Sequence, residues 1–222
     1  MLPILFENSS FVVIVKPEGL SFHSEDGAGV VVMLSEQMQI PLYAVHRLDK
    51  MTSGLLMLAK TPQAAKELTE LFADKKIEKY YIAISTRMPK KKQGWVKGDM
   101  TLSRRGSYKL LSTLENPAIT RFISTSIRPH ERAFLIKPYT GKTHQIRVAL
   151  KSLGSPIAGD ERYAQADEAR KEQRGYLHAY ALRFVYKDEE FVFVNAPTSG
   201  ERFLTQEFNI QLQQWQEPWK LF

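Results

Sequence analysis

Leu55-Leu56-Met57-Leu58-Ala59-Lys60-Thr61-Pro62-Gln63-Ala64-Ala65-Lys66-Glu67-Leu68-Thr69-Glu70-Leu71-Phe72 carries two structural periods within one short stretch. Its first five residues are uninterruptedly apolar, as a strand covered on both faces must be. Thr61 then supplies a capping hydroxyl and Pro62 occupies the first helical position, where its missing N–H costs nothing. Ala65, Leu68, Leu71 and Phe72 follow at helical spacing and put one apolar stripe on one side. Further apolar, β-branched and aromatic runs at Phe11 to Val15, Tyr80 to Ser85, Ala133 to Lys137, Leu177 to Tyr186 and Phe191 to Val194 predict strands. A second helix is predicted from Thr143 to Leu153, with Ile146, Ala149, Leu150 and Leu153 on its core face and Gly154 and Pro156 to end it. Many strands with few helices, not in strict alternation, predict an α+β fold built on a mixed, largely antiparallel sheet with flanking helices.

The 222 residues are 43% apolar and 25% charged, a composition that can bury a core, and residues 1–222 are read as a single domain. Ala164 to Arg174 reads as a polar connection or short surface helix, and Gln211 to Phe222 as a terminal segment docking through Trp215 and Trp219. The apolar run at Met1 to Glu7 is too short for a signal peptide, and no segment nears the ~20 apolar residues of a membrane span, so a cytoplasmic protein without membrane contact is expected. With no cysteine, thiolate catalysis, disulfides and cysteine zinc sites are excluded, and no metal is expected.

The formal net charge is +7, and it is uneven. Between Arg87 and Lys109 lie Arg87, Lys90, Lys91, Lys92, Lys97, Arg104, Arg105 and Lys109 against one acid, Asp99, with Trp95 and Tyr108 among them. Cations bind phosphates with counterion release, and aromatic faces accept unpaired bases, so the pattern points to RNA or DNA; its bland counterpart is a solvated basic loop.

Two clusters carry candidate chemistry. His46-Arg47-Leu48-Asp49-Lys50-Met51-Thr52-Ser53-Gly54 leads straight into the Leu55 strand, where a carboxylate can serve as nucleophile or base, although the same residues also suit an ordinary turn. Thr140-Gly141-Lys142-Thr143-His144-Gln145-Ile146-Arg147-Val148 opens the second helix. His144 and Arg147 are three apart there, and an arginine so held can grip a carboxylate bidentately. Gly141-Lys142-Thr143 is not a P-loop, because Ile136 stands where the earlier glycine is required.

These segments, with Gly159-Asp160-x-x-Tyr163, Lys16-Pro17-x-Gly19-Leu20, Lys79-Tyr80-Tyr81-Ile82-Ala83 and Leu177-His178-Ala179, closely resemble in order the motifs of the RluA-type family of RNA pseudouridine synthases, from about Phe11 to Pro197. The resemblance implies that family's catalytic fold with a central RNA-binding cleft, and isomerisation of uridine in transfer or ribosomal RNA without a cofactor, metal or required protein partner, by a monomer. It implies Asp49 as the catalytic residue, Arg147 as its partner, Tyr81 packing on the base, and Ile146 lining the pocket. Arg47 resembles the side chain that fills the stack after base flipping; His46, Thr52, Ser53, Lys90, Lys91, Lys92, Arg104 and Arg105 are the accompanying RNA-contact candidates. Asp160 is implied to sit in a Gly-Asp turn. The chain departs from the pattern at Ala149, usually histidine, and at Tyr186-Lys187, usually His-Pro, and an N-terminal S4 domain carried by many relatives is not expected. A non-catalytic RNA binder and a glycoside hydrolase pairing Asp49 with Asp160 or Glu161 are the rival readings.

Overall fold

A computed structural model describes residues 1–22 and 28–222, with Arg105 described by its backbone alone. In chain order the elements are β1 (Ile4–Glu7), β2 (Phe11–Lys16), α1 (Val30–Met38), β3 (Tyr43–Ala44), β4 (Ser53–Ala59), α2 (Pro62–Ala73), β5 (Glu78–Ser85), β6 (Gln93–Gly98), β7 (Met100–Leu102), β8 (Tyr108–Leu110), β9 (Ala118–Arg128), β10 (Glu131–Pro138), α3 (Gln145–Ser152), α4 (Ala166–Ala169), β11 (Leu177–Tyr186), β12 (Glu189–Val194) and α5 (Gln206–Gln214). The chain divides into two compact units, Met1–Lys79 with His178–Ala196, and Tyr80–Leu177 with Pro197–Phe222.

In the first unit β4 is central and buried along its whole length. β2 runs antiparallel along one edge of it, from Phe11 opposite Ala59 to Lys16 opposite Gly54, and β1 continues the sheet beyond β2. The other edge is shared: β3 pairs with Leu58 and Ala59, and β11 runs parallel to β4 at Ser53 and Gly54. Gly54 is required at this bridge. Its φ is +104°, and a Cβ there would lie 2.3 Å from the Ala179 carbonyl oxygen. β11 returns as β12 through Lys187 and Asp188, both with positive φ (51° and 63°), the two-residue turn whose twist matches paired strands.

The core of this unit gathers Phe11, Val13, Leu55, Met57, Leu68, Phe184 and Phe191, each fully buried side chain of this kind contributing about 1.5–3 kcal/mol. α2 is held to it as the sequence predicts. The Thr61 hydroxyl accepts the Ala64 N–H at 3.1 Å, and Ala64 and Leu68 are buried.

The second unit orders its strands β5-β10-β9-β6, all antiparallel, with β7 and β8 as a separate hairpin. Along β9 the buried positions Ala118, Thr120, Phe122 and Ser124 alternate with half-buried ones. α3 is shorter than predicted because His144 adopts a left-handed conformation (φ 57°) at its N-cap, and Gln145 ties the helix start to β9. The Gln145 side-chain oxygen accepts from the Thr140 hydroxyl and the Lys142 N–H, and its amide donates to the Ile119 carbonyl and Thr120 Oγ1. The polar stretch at Ala164 to Arg174 holds the four-residue α4. The C-terminal segment docks through Phe208, Leu212 and Trp215, all buried, and Trp219 is half-buried. No helix among the described residues is long and apolar enough to cross a membrane.

Candidate active site

In the first unit Asp49 stands half-buried in the loop before β4, between buried Leu48 and exposed Lys50. Lys16 fixes this loop. Its side chain is fully buried, and its ammonium donates to the carbonyls of Pro17 (2.8 Å), Leu20 (2.8 Å) and Lys50 (3.3 Å). Carbonyl acceptors around its N–H groups are what make a buried ammonium tolerable. The Lys50 carbonyl also accepts the Gly19 N–H at 2.8 Å, and the Asp49 carbonyl accepts the Thr52 N–H at 3.0 Å, so the backbone on both sides of the carboxylate is held. Lys16 has a visible signal: a cation ending an otherwise apolar strand run just before Pro-x-Gly.

Three of the residues expected to contact RNA in this segment carry structural roles. Thr52 and Ser53 are buried. Ser53 Oγ lies 2.8 Å from His178 Nδ1, while His178 Nε2 lies 2.9 Å from the Asn195 carbonyl. A carbonyl only accepts, so Nε2 carries a proton, and in the neutral ring the Ser53 hydroxyl donates to Nδ1. His46 Nε2 accepts the Met57 N–H at 3.0 Å, and its ring lies 4.6 Å from that of Phe72. Burial, reinforced by the nearby Lys79 ammonium, lowers its pKa to about 3, so it brings no positive charge to a phosphate at neutral pH. Arg47 is exposed, as a residue entering an RNA stack must be.

In the second unit Tyr81 is half-buried on β5 opposite Ile136, and Ile146 is buried in the first turn of α3. The carboxylate gripped by the Arg147 fork is Asp160: Nε donates to Oδ2 and Nη2 to Oδ1, both at 2.8 Å, and the Asp160 side chain is wholly buried. That edge of the guanidinium is therefore committed. Asp160 Oδ1 also accepts the backbone N–H groups of Arg162 (3.1 Å) and Tyr163 (3.3 Å). Gly159 makes the turn possible, since with φ +77° a Cβ there would stand 1.9 Å from the Arg174 carbonyl oxygen. Asp160 is thus wholly buried and committed to this support, a poor placement for the second carboxylate of a hydrolase.

Tyr163 completes the support. Its hydroxyl accepts the Tyr108 N–H at 2.9 Å and lies 2.9 Å from His144 Nδ1, and the Arg147 guanidinium sits 5.1 Å from its ring centroid. Burial raises the Tyr163 pKa, which keeps the phenol protonated. Lys90, Lys91, Lys92 and Arg104 are exposed, and Arg105 lies in the 3-10 turn Arg104–Gly106. Arg87 is the exception in the basic stretch, its guanidinium bonding both Glu168 carboxylate oxygens at 3.0 Å. Among the described residues no group of histidines and carboxylates could hold a metal ion.

Residues 10–152 match the family described as RNA pseudouridylate synthase, a span containing Asp49, Tyr81, Ile146 and Arg147. The chain belongs to that family, in its RluA-type branch. It is therefore an RNA pseudouridine synthase, an isomerase, which removes both rival readings. It is 46% identical over 202 residues to an uncharacterized RNA pseudouridine synthase of Haemophilus influenzae, covering 90% of this chain and 89% of that one. It is 35% identical to a protein of Pasteurella multocida named ribosomal large subunit pseudouridine synthase C, with 89% of this chain aligned to 65% of that one. Among solved structures, human RNA pseudouridylate synthase domain containing 4 superposes with a TM-score of 0.73 at 26% identity, over 93% of this chain and 92% of that one. Human RNA pseudouridylate synthase domain containing 1 superposes with a TM-score of 0.79 over 98% of this chain and 95% of that one; at 21% identity that likeness concerns the fold. In this pseudouridine synthase, Asp160 and Tyr163 lie outside the matched span yet orient an arginine inside it.

Proposed function

We propose that this synthase isomerises specific uridines of ribosomal or transfer RNA, with Asp49 as the catalytic residue and residues 1–222 acting as one catalytic domain. The single observation that carries this reading is the Asp49 loop: a half-buried carboxylate whose flanking backbone is fixed by the Lys16 ammonium. Several relatives are named for the ribosomal large subunit, which favours ribosomal RNA. A monomer working in the cytoplasm fits the reading.

The reaction breaks the bond from N1 to C1′ and forms one from C5 to C1′, while the C5 proton is lost and N1 gains one. Electrons balance, so no oxidant or reductant is needed. The uridine first leaves the stack, at a cost of a few kcal/mol, and Arg47 fills the gap. Asp49 acts as an anion, whether as nucleophile at C1′ or at the base, or as base toward a sugar proton. Tyr81 stacks on the uracil while it turns, and Ile146 closes the apolar wall. Arg147, with one edge held by Asp160, is the cation proposed to support the reaction. Lys90, Lys91, Lys92, Arg104 and Arg105 neutralise phosphates.

Release of tritium from RNA carrying uridine tritiated at C5 tests the reading. The wild type should release it, and Asp49→Asn should not, while binding RNA within a few fold of wild type. Turnover by Asp49→Asn at a rate comparable to wild type, or free uracil as the product, would overturn it.

A further inference from the structure

On the second unit's sheet, the face opposite Tyr81 carries a strip of cations and aromatic rings that the isomerisation does not use. Trp95 of β6 lies in register with Arg121 of β9, and Arg121 with Lys137 of β10, so the three side chains share one face. Tyr80 belongs to this face, because it precedes Tyr81 on β5 and neighbouring side chains alternate. The groups touch in series: Lys97 Nζ lies 4.8 Å from the Trp95 ring and the Arg121 guanidinium 5.4 Å from it, while the Trp95 and Tyr139 rings are 5.1 Å apart. Lys137 lies 5.3 Å from Tyr139 and 5.1 Å from Tyr80, and Phe222 stands beneath Arg121 at 5.5 Å.

Two features separate this strip from ordinary surface packing. Trp95 is 43% exposed although it is the largest side chain on a terminal strand of the sheet. Among the described residues, neither Lys97 nor Arg121 has a carboxylate partner, whereas Arg87, Arg128 and Arg202 of the same unit do. An exposed indole flanked by cations that no acid neutralises offers a π-face for a base and charge for the adjoining phosphates. Duplex RNA hides its base faces and cannot use the ring. The exposed Lys90, Lys91 and Lys92 immediately precede β6, so positive charge continues along the chain into the strip.

We propose that this face binds an unpaired segment of the substrate RNA, with one base stacked on Trp95 and its flanking phosphates on Lys97 and Arg121. The proposal rests on the synthase reading above but places this RNA contact on the sheet face opposite Tyr81. It also implies a preference for substrates in which a single-stranded stretch adjoins the structured target.

The test measures fluorescence anisotropy of a labelled twelve-nucleotide single-stranded RNA and of a blunt twelve-base-pair RNA duplex with the full chain. Trp95→Ala should weaken single-strand binding by about 5- to 160-fold, the loss expected for one stacked base, and leave the duplex nearly unaffected. Trp95→Phe, which keeps a ring, should restore most of the affinity and controls for folding. The double variant Lys97→Gln and Arg121→Gln should flatten the salt dependence of single-strand binding by up to about 1.4 log units per log unit of salt. Single-strand affinity unchanged in Trp95→Ala, or an equal loss on the duplex, would overturn the proposal. Tritium release distinguishes the two readings. A chain that releases tritium but is indifferent to Trp95→Ala keeps the enzyme assignment and loses the strip; the converse keeps the strip and loses the substrate assignment.

Discussion

Replacing either member of the Arg147–Asp160 pair probes the support of the proposed site directly. Asp160 is wholly buried and accepts four hydrogen bonds, two from the guanidinium at 2.8 Å and two from backbone N–H groups. Asp160→Asn preserves shape but turns an amide donor toward a guanidinium that only donates, removing the buried negative charge that this edge of Arg147 faces. Breaking a buried pair in this way costs about 3–5 kcal/mol. Arg147→Met strands the carboxylate instead, at a comparable cost near pH 7. Urea unfolding followed by far-ultraviolet circular dichroism on wild type, both single variants and the double variant gives the coupling energy, expected to be at least about 2 kcal/mol for groups in one buried network. A coupling below about 0.5 kcal/mol would refute the reasoning. Both single variants should also lose tritium release. Arg147→Lys, which keeps the charge without the planar fork, should fall between Met and wild type.

Neutralising Lys90, Lys91 and Lys92 together should flatten the slope of log affinity for single-stranded RNA against log salt by up to about 2, at ~0.7 per phosphate contact; an unchanged slope would return the loop to solvent. His46 should make the fold acid-sensitive. Its pKa falls from 6.5 to about 3 in the folded chain, so between those values the unfolded chain binds the proton first and stability is lost as pH drops. That loss approaches at most ~1.4 kcal/mol per pH unit. His46→Gln, which can still accept the Met57 N–H but does not titrate, should lessen this slope in pH-dependent unfolding, and an identical slope would show that His46 is not its source.

Much of the fold was legible because apolar periodicity is local. The runs at Phe11, Leu55, Tyr80, Ala133, Leu177 and Phe191 all became strands, and Thr61-Pro62 opened a helix. β9 escaped notice because its inward positions include Thr120 and Ser124, polar residues whose burial depends on partners elsewhere, among them Gln145 for Thr120 and Arg132 for Ser124. α1 lacks a side-chain cap, and α5 has the Thr205 capping hydroxyl but no proline at its first helical position. The position of Asp49 in a loop before a buried strand could be read from the residues, but its anchoring could not: Lys16 reaches Lys50 across 34 residues, and Ser53 reaches His178 across 125. His46, Thr52 and Ser53 looked like surface polar groups because composition does not reveal which side of a loop a side chain takes. Asp160 was legible as a turn residue, and its grip on Arg147 emerged only in three dimensions.

The parallel bridge between β4 and β11 has a consequence for how the molecule is made. The strand beside Ser53 and Gly54 comes from residues that the ribosome adds only after the whole stretch Tyr80–Leu177 has emerged. At roughly 5–20 residues per second, the edge of β4 waits on the order of ten seconds for its neighbour. During that interval the edge of β4 at Ser53 and Gly54 stays unpaired, next to the apolar run Leu55, Leu56 and Met57 that is buried in the finished molecule. The nascent chain thus carries its proposed catalytic loop beside an unfinished sheet, and translation beyond residue 178 is the event that closes it.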